Sequence, residues 1–128
     1  MRLLLDTHLL LWAAGPSPRL PARARQLIDD PDNELVLSVV SLWETAIKSA
    51  RGRDEFQVDA RLLRRNLLNN GYEELPVTGE HAVAVVGLPP LHRDPFDRML
   101  VAQAIVEGIT LLTSDPRVAQ YPAPVQRV

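Results

Sequence analysis

Short apolar segments separated by helix-like stretches limit what this chain can fold into. Three of them have the length and the leucine and valine content of buried strands, at Arg2–Leu5, Glu34–Val40 and Ile109–Thr113. Strands that alternate with helices in this way pair side by side in a parallel sheet. The alternation therefore predicts an α/β fold of three layers, with helices flanking a mostly parallel central sheet.

The segments between these strands carry helix signals. The clearest helix starts at Asp94, a preferred N-cap residue, has Pro95 at its first helical position and ends before Gly108. Another short turn of helix is expected from Asp115. The predicted helices are His8–Ala14, Ala22–Asp29, Ser41–Arg51, Asp59–Asn69, Glu80–Val86 and Asp94–Glu107, with two further extended pieces at Leu75–Thr78 and Val125–Val128.

Composition limits the class of protein. A length of 128 residues with 46% hydrophobic residues fits a single domain over residues 1–128 with its own core. The absence of cysteine excludes a disulfide framework and a cysteine-based zinc site. Asp6 interrupts the first apolar run too early for a signal peptide, and no apolar stretch is long enough to span a membrane, so we expect a cytoplasmic protein without a membrane partner.

Acidic residues follow the predicted strands or begin the helices after them. In a parallel α/β sheet the carboxyl ends of the strands share one edge, and ligands bind there at a topological switch point. Acids from distant parts of the chain are therefore expected to meet at this edge. They are Asp6 after the first strand, Glu44 in the helix after the second, Asp97 in the helix from Asp94, and Asp115 after the third strand.

Such a cluster needs a positive partner. Two carboxylates about 4 Å apart repel by about 4 kcal/mol at an effective dielectric near 20, and a helix N-terminus offsets only about 0.3–1 kcal/mol. The chain has no cysteine, and its only lysine, Lys48, is not expected near the acids. Because carboxylates and water suit Mg²⁺ or Mn²⁺, a site for one of these ions is predicted.

Each acid also has a purely structural interpretation. The segment from Ser41 to Glu44 has the spacing of a capping box, in which the glutamate only reaches back to the serine amide. Asp94 and Asp97 have the same spacing, and Asp115 before a proline is an ordinary N-cap. Asp6 is harder to explain in this way, because an acid after a buried strand needs a helix or a ligand to satisfy it.

With these segments in view, the sequence resembles the PIN-domain family, and within it the VapC-type toxins of type II toxin–antitoxin systems. The resemblance runs in family order along essentially the whole chain. Each motif is short, but all four occur together. The matching segments are Leu4–Trp12, Ser38–Lys48, His92–Ala104 and Leu111–Asp115.

The resemblance implies a Mg²⁺- or Mn²⁺-dependent endoribonuclease, a homodimer, and a cognate VapB-like antitoxin that blocks the site. The four acids Asp6, Glu44, Asp97 and Asp115 match the family's acidic positions one by one. It also implies a supporting role for Thr113, whose hydroxyl stands beside the last acid.

Several other polar residues stand near the acidic motifs. Arg93 and Arg98 flank the third motif and are predicted to contact RNA phosphates. His8 and His92 lie close to proposed acids, where each could touch phosphate, assist proton transfer or simply pack. Asp94 is expected to support the site as the cap of its helix.

Three further side chains receive structural assignments. The tryptophans Trp12 and Trp43 are predicted to be core aromatics. His81 has no special context and is expected at the surface.

Two other acid-dependent classes fail on particular residues. A receiver domain needs an acidic pair after the first strand and a late lysine, but Leu5 precedes Asp6 and the lysine is at position 48. A haloacid-dehalogenase-like phosphatase needs a second aspartate two residues after the first, where His8 stands. Two alternatives stay open: a weakly catalytic PIN-fold module that keeps antitoxin binding, and a DNA- or flap-type nuclease of the same superfamily.

Overall fold

A central sheet of parallel strands organises the chain. The computed structural model describes residues 1–52 and 57–128, and its described strands lie side by side in the order β3-β2-β1-β4-β5, with each neighbouring pair parallel. The predicted α/β fold with a largely parallel sheet is confirmed. The strands are β1 (Arg2–Leu5), β2 (Glu34–Ser38), β3 (Glu73–Leu75), β4 (Thr110–Thr113) and β5 (Val125–Arg127).

Helices cover both faces of this sheet, as expected for three layers. Within the described residues the helices are α1 (Thr7–Ala13), α2 (Ala22–Asp29), α3 (Val39–Ala50), α4 (Ala60–Asn69), α5 (Gly79–Ala84) and α6 (Pro95–Glu107). Alternate side chains of a strand point to opposite faces, so Leu3 and Leu5 pack with the cluster that includes α1, α2 and α4, while Leu4 packs with the cluster that includes α5 and α6.

The order of the strands creates a switch point between β1 and β4. The chain leaves β1 toward β2 and β3 on one side, and later returns to add β4 and β5 on the other side. Successive crossovers therefore diverge at the carboxyl ends of β1 and β4, where open α/β sheets bind ligands. Asp6 follows β1 directly, and Thr113 is the last residue of β4.

Helix α6 agrees with its sequence signals. Asp94 is the N-cap, and its side chain accepts hydrogen bonds from the Phe96 and Asp97 amides. Gly108 ends the helix in the left-handed conformation, at φ 66°, which glycine adopts without the steric cost of a Cβ. Asp97 is thereby fixed in the first turn.

The junction between β2 and α3 differs from the prediction. The strand ends at Ser38, and the helix begins at Val39 rather than Ser41. Ser38 caps the helix, since its hydroxyl accepts from the Val40 amide at 3.0 Å. The capping-box interpretation of Ser41 and Glu44 is therefore wrong. Val39 and Val40, which looked like the end of a strand, instead form the first turn of α3.

Strand β3 also lies earlier than predicted, at Glu73–Leu75 rather than Leu75–Thr78. Its register pairs Leu75 with Ser38, the last residue of β2. The next residue, Pro76, has no amide hydrogen to continue the ladder.

Two side chains lie in environments opposite to those predicted. Trp43 is 62% exposed rather than part of the core. His81 is fully buried rather than at the surface: its Nδ1 accepts from the Thr78 amide, and its Nε2 lies 2.8 Å from Glu107 Oε2. Among the described helices, none is both long and apolar enough to cross a membrane.

Candidate active site

Asp6 is held at the centre of the sheet edge. It caps α1, with Oδ1 accepting from the Leu9 amide at 2.9 Å, while Oδ2 accepts from the Thr113 hydroxyl at 2.6 Å. Burial raises the pKa of this carboxyl above its ordinary value, although both hydrogen bonds lower it in part. Asp6 is therefore a buried acid whose charged form depends on polar contacts.

Glu44 projects from α3 and is also buried. Its Oε1 accepts from the Thr7 hydroxyl at 2.6 Å, and its Oε2 pairs with Lys48 one turn further along the helix. The expectation that no lysine lies near the acids is therefore wrong: residues four apart share a helix face, so Lys48 partly balances this carboxylate. Both oxygens of Glu44 are already engaged in the protein.

Asp97 is the carboxyl most affected by its neighbours. Its Oδ2 lies 2.8 Å from His92 Nε2. Burial, followed by the charges of four nearby carboxylates, raises the pKa of Asp97 to about 8. The four neighbours are Asp94, Glu44, Asp6 and Asp115.

Asp115 lies at the more exposed side of the cluster. Its Oδ1 accepts from the Arg117 amide at 2.8 Å, and its Oδ2 lies 3.2 Å from the Arg117 guanidinium. Burial alone would raise the pKa of Asp115, but hydrogen bonds and charge from Arg117, with the charge of His92, bring it below its ordinary value. Asp115 is the acid best held in its charged form.

Thr113 connects the first and last acids. The hydroxyl that donates to Asp6 also accepts from the Asp115 amide at 3.0 Å. Because Thr113 is fully buried, this bridge fixes the ends of β1 and β4 relative to each other. The position predicted to support the last acid therefore contacts both.

The structure brings the four predicted acids into one electrostatic cluster, since the other three all act on Asp97. They do not form a closed cage. Within the described residues, one group of three side chains has its potential ligand atoms within 4.8 Å of one another: His92, Asp94 and Asp97. The four acids therefore lie along the edge of the sheet without enclosing a single point.

A divalent cation suits this arrangement. Burial and the charges of nearby carboxylates together raise the pKa of Asp97 to about 8, and a positive ion among these carboxylates would relieve their repulsion. Carboxylate oxygens, with one imidazole nearby, are ligands that Mg²⁺ and Mn²⁺ accept. The residues present thus fit the ion that their residue types predicted.

The two arginines assigned to RNA differ in availability. Arg93 is exposed, as an RNA contact requires. The guanidinium of Arg98 instead donates to the Val85 and Pro89 carbonyls and to the Tyr121 hydroxyl. These contacts already use Arg98 to hold the loop before α6, so a role in phosphate binding is less well supported for it than for Arg93.

Three polar neighbours of the acids were not singled out from the sequence. Lys48 could have been found, because it stands four residues after Glu44 on a predicted helix. Thr7 lies beside Asp6, but no sequence signal indicates that its side chain faces Glu44. Tyr121 lies in an irregular segment 29 residues from its partner His92, and no local pattern predicts that contact.

This chain resembles known proteins in its family profile, its sequence and its fold. The sequence profile of the PIN domain matches residues 3–124. Ribonuclease VapC22 from Mycobacterium tuberculosis is 30% identical to this chain over 125 residues, which is 95% of each protein.

Two solved structures share the fold over nearly the whole length. One is VapBC2 from Rickettsia felis, which was solved bound to a promoter DNA fragment. It superposes with a TM-score of 0.71 at 15% identity, covering 100% of this chain and 99% of that one. VapBC-1 from nontypeable Haemophilus influenzae gives a TM-score of 0.65 at 18% identity, covering 99% and 98%. Together with the matched profile and the acids at the sheet edge, these likenesses confirm the resemblance, and the chain belongs to the PIN domain family.

Proposed function

We propose that this protein is a Mg²⁺- or Mn²⁺-dependent endoribonuclease of the VapC type, the toxin of a toxin–antitoxin pair. The observation that carries the proposal is the convergence of Asp6, Glu44 and Asp115 on Asp97, at the switch point of a parallel sheet. An ion held among such carboxylates can bind a phosphate oxygen and activate water for in-line attack on a phosphodiester. Intact acids favour this activity over a weakly catalytic binding module.

The acids divide by how free they are to hold the ion. The side chains of Asp97 and Asp115 are 20% and 26% exposed, and Asp6 is held by Thr113 and the Leu9 amide in a fixed orientation. Glu44 is 3% exposed, and Lys48 already balances its charge. We therefore assign Asp6, Asp97 and Asp115 as the principal ligands and place Glu44 as the fourth member, with the weakest direct share.

The remaining residues act around these ligands. Thr113 fixes Asp6 relative to Asp115, and Asp94 caps the helix that carries Asp97. The exposed Arg93 lies one residue before that cap and can bind an RNA phosphate. Arg98 joins it as a second candidate only if its contacts with the loop rearrange.

The comparisons support the substrate and partner assignments. The relative that is 30% identical is named a ribonuclease, and the neighbouring folds include a toxin–antitoxin complex from Klebsiella pneumoniae. We propose RNA as substrate, a VapB-like antitoxin as partner, a homodimer as the assembly, a single domain over residues 1–128, and action in the cytoplasm. A DNA- or flap-type nuclease has no specific observation in its favour here.

Cleavage of single-stranded RNA by the purified chain tests the activity. We expect cleavage with Mg²⁺ or Mn²⁺, none in excess EDTA, and loss by orders of magnitude in Asp6→Ala and Asp115→Ala with folding retained by circular dichroism. Glu80→Ala, which removes an exposed acid in α5, is the matched control and should cleave normally. Full cleavage in EDTA, or by both site variants, would refute the proposal.

Growth of a bacterial host tests the toxin assignment. Expression of the wild-type chain should arrest growth, and expression of Asp6→Ala should not. We expect a small antitoxin gene beside this one, whose product should restore growth when it is co-expressed and should inhibit cleavage when purified. Growth arrest by the Asp6→Ala variant would show that toxicity does not depend on the site.

A further inference from the structure

Beyond the four acids, the imidazole of His92 contacts Asp97 directly. Its side chain is 9% exposed, and Nε2 lies 2.8 Å from Asp97 Oδ2 and 3.9 Å from Asp115 Oδ2. It therefore stands at the boundary between two proposed metal ligands.

The backbone of His92 is held on both sides by one buried hydroxyl. The His92 amide donates to Tyr121 Oη at 3.0 Å, and Tyr121 Oη donates to the His92 carbonyl at 3.3 Å. Arg98 Nη1 donates to the same oxygen at 3.1 Å. A phenol hydroxyl has one donor and two acceptor sites, so the hydrogen-bonding capacity of Tyr121 is fully used in holding this loop.

The contact with His92 leaves the two oxygens of Asp97 in different states. Oδ2 faces the imidazole. In the part of the chain that the structure describes, no hydrogen bond reaches Oδ1. A carboxylate with one oxygen oriented by a donor presents the other as a ready ligand, and outer partners of this kind commonly set the affinity of a metal site.

We propose that His92 is a positioning residue, which orients Asp97 for the metal by donating from Nε2 to Oδ2, and that Tyr121 and Arg98 hold it in place. This inference rests on the proposed function, in which Asp97 is a ligand. Tyr121, which follows β4, would therefore influence the metal site through His92 and Asp97, although it lies far from them in sequence.

Mn²⁺ binding to the purified protein, followed by electron paramagnetic resonance of the free ion, tests the proposal. His92→Ala should weaken binding about 10–100-fold, the range found when outer partners of ligands are removed. His92→Gln should restore most of the affinity, because its amide nitrogen can replace Nε2 as donor. Tyr121→Phe should weaken binding in the same direction but less, because the imidazole remains while its support is lost.

Tyr72→Phe is the matched control, since Tyr72 is also a buried tyrosine but packs in the cluster on the other face of the sheet. It should bind Mn²⁺ like the wild type. The melting temperature without metal is measured for every variant. Rescue of affinity in His92→Gln relative to His92→Ala, at equal melting temperatures, is a result that a purely structural role would not produce.

The outcomes separate this inference from the proposed function. Wild-type affinity in His92→Ala would overturn the positioning role while leaving the nuclease intact. Equal loss in His92→Ala and His92→Gln would also overturn it, since a donated hydrogen bond would then not be what matters. Failure of the wild-type chain itself to bind Mn²⁺, together with metal-independent cleavage, would overturn the proposed function and with it this inference.

Discussion

Thr113 Oγ1 donates a 2.6 Å hydrogen bond to Asp6 Oδ2, across 107 residues of sequence. The two residues lie at the ends of β1 and β4, which are neighbours in the sheet. One hydroxyl thus joins the strand that begins the chain to the strand that precedes the last acid, at the point where the sheet reverses its order of crossovers.

Replacing Thr113 with valine tests this link, because valine keeps the shape of the side chain but removes the donor. Leaving a buried acceptor without its partner should lower the free energy of unfolding by about 1–3 kcal/mol at neutral pH. The Thr113 bond lowers the pKa of Asp6, so the variant should need a higher pH to bind Mn²⁺. Denaturation with urea and Mn²⁺ titrations from pH 5 to 9 measure both effects.

Thr113→Ser retains the hydroxyl and serves as the control for this substitution. It should keep the pH dependence of metal binding close to that of the wild type. An unchanged pH dependence in Thr113→Val would contradict the role assigned to the bond.

The raised pKa of Asp97 predicts how stability varies with pH in the metal-free protein. The pKa is about 8 in the folded chain against an ordinary value of 3.8, so the folded state binds a proton that the unfolded state has lost. The contribution of Asp97 to the free energy of unfolding is therefore most favourable below about pH 4, and it is lost as the pH rises toward 8. In EDTA, Asp97→Asn should remove this loss.

Melting temperatures of the wild type and Asp97→Asn at pH 5 to 8.5 check this expectation. The advantage of the variant should grow with pH. Added Mn²⁺ should reverse the order at pH 8, since the ion stabilises a protein that binds it and the variant has lost a ligand. A constant difference across the pH range would contradict the assigned pKa.

Much of the fold follows from local signals. The leucine-rich β1 and the α6 boundaries were predictable, because Asp94, Pro95 and Gly108 each act within one turn of helix. The start of α3 was not, since Ser38 and Ser41 are equally suitable caps in sequence. Tertiary contacts decide between them: Ser41 is buried, and its hydroxyl lies 2.9 Å from the Thr7 hydroxyl rather than at the end of the helix.

The convergence of the four acids was predictable, but the surroundings of these acids were not. Their placement follows from the rule that parallel strands share an edge. Trp43 was predicted to be buried, and Glu44 had a structural interpretation as part of a capping box. Both were wrong, because Trp43 is exposed and Glu44 is buried. Hydropathy favours the tryptophan for the core, and only the contacts of Glu44 with Thr7 and Lys48 explain the reverse.

The ion pair of Glu44 and Lys48 predicts that removing the lysine alone destabilises the protein more than removing both charges. Lys48→Met leaves Glu44 buried without its cation, which should cost about 3–5 kcal/mol of stability. The double variant Glu44→Gln with Lys48→Met should be more stable than Lys48→Met alone. Lys48→Arg, which keeps the charge, is the control, and thermal unfolding with and without Mn²⁺ is the measurement.

The same contacts predict that Glu44 contributes less to Mn²⁺ affinity than Asp97 does. Because both of its oxygens already accept hydrogen bonds, Glu44→Gln should reduce Mn²⁺ affinity less than Asp97→Asn. If Glu44→Gln abolished binding while Asp97→Asn did not, the order of ligands proposed above would have to be reversed.

The last prediction separates Asp94 from Asp97, which share one helix N-terminus. Asp94 Oδ1 accepts from the Phe96 amide at 2.8 Å and the Asp97 amide at 3.1 Å, so its structural task is capping. Asparagine caps a helix as well as aspartate does, and Asp94→Asn should keep most of the RNA cleavage activity. Since the charge of Asp94 helps to raise the pKa of Asp97, the rise of activity with pH should shift to lower pH in this variant.

Asp97→Asn should lose cleavage by orders of magnitude, with a metal-free melting temperature that holds or rises because asparagine, unlike Asp97, does not have to take up a proton on folding. Cleavage of a fluorescent RNA between pH 5.5 and 9 compares the two variants, and circular dichroism confirms folding. The opposite ranking, an inactive Asp94→Asn and an active Asp97→Asn, would move the third acid of the site from Asp97 to Asp94. In that case Asp6, Glu44 and Asp115 would keep their places, because their positions at the sheet edge do not depend on which aspartate of α6 binds the ion.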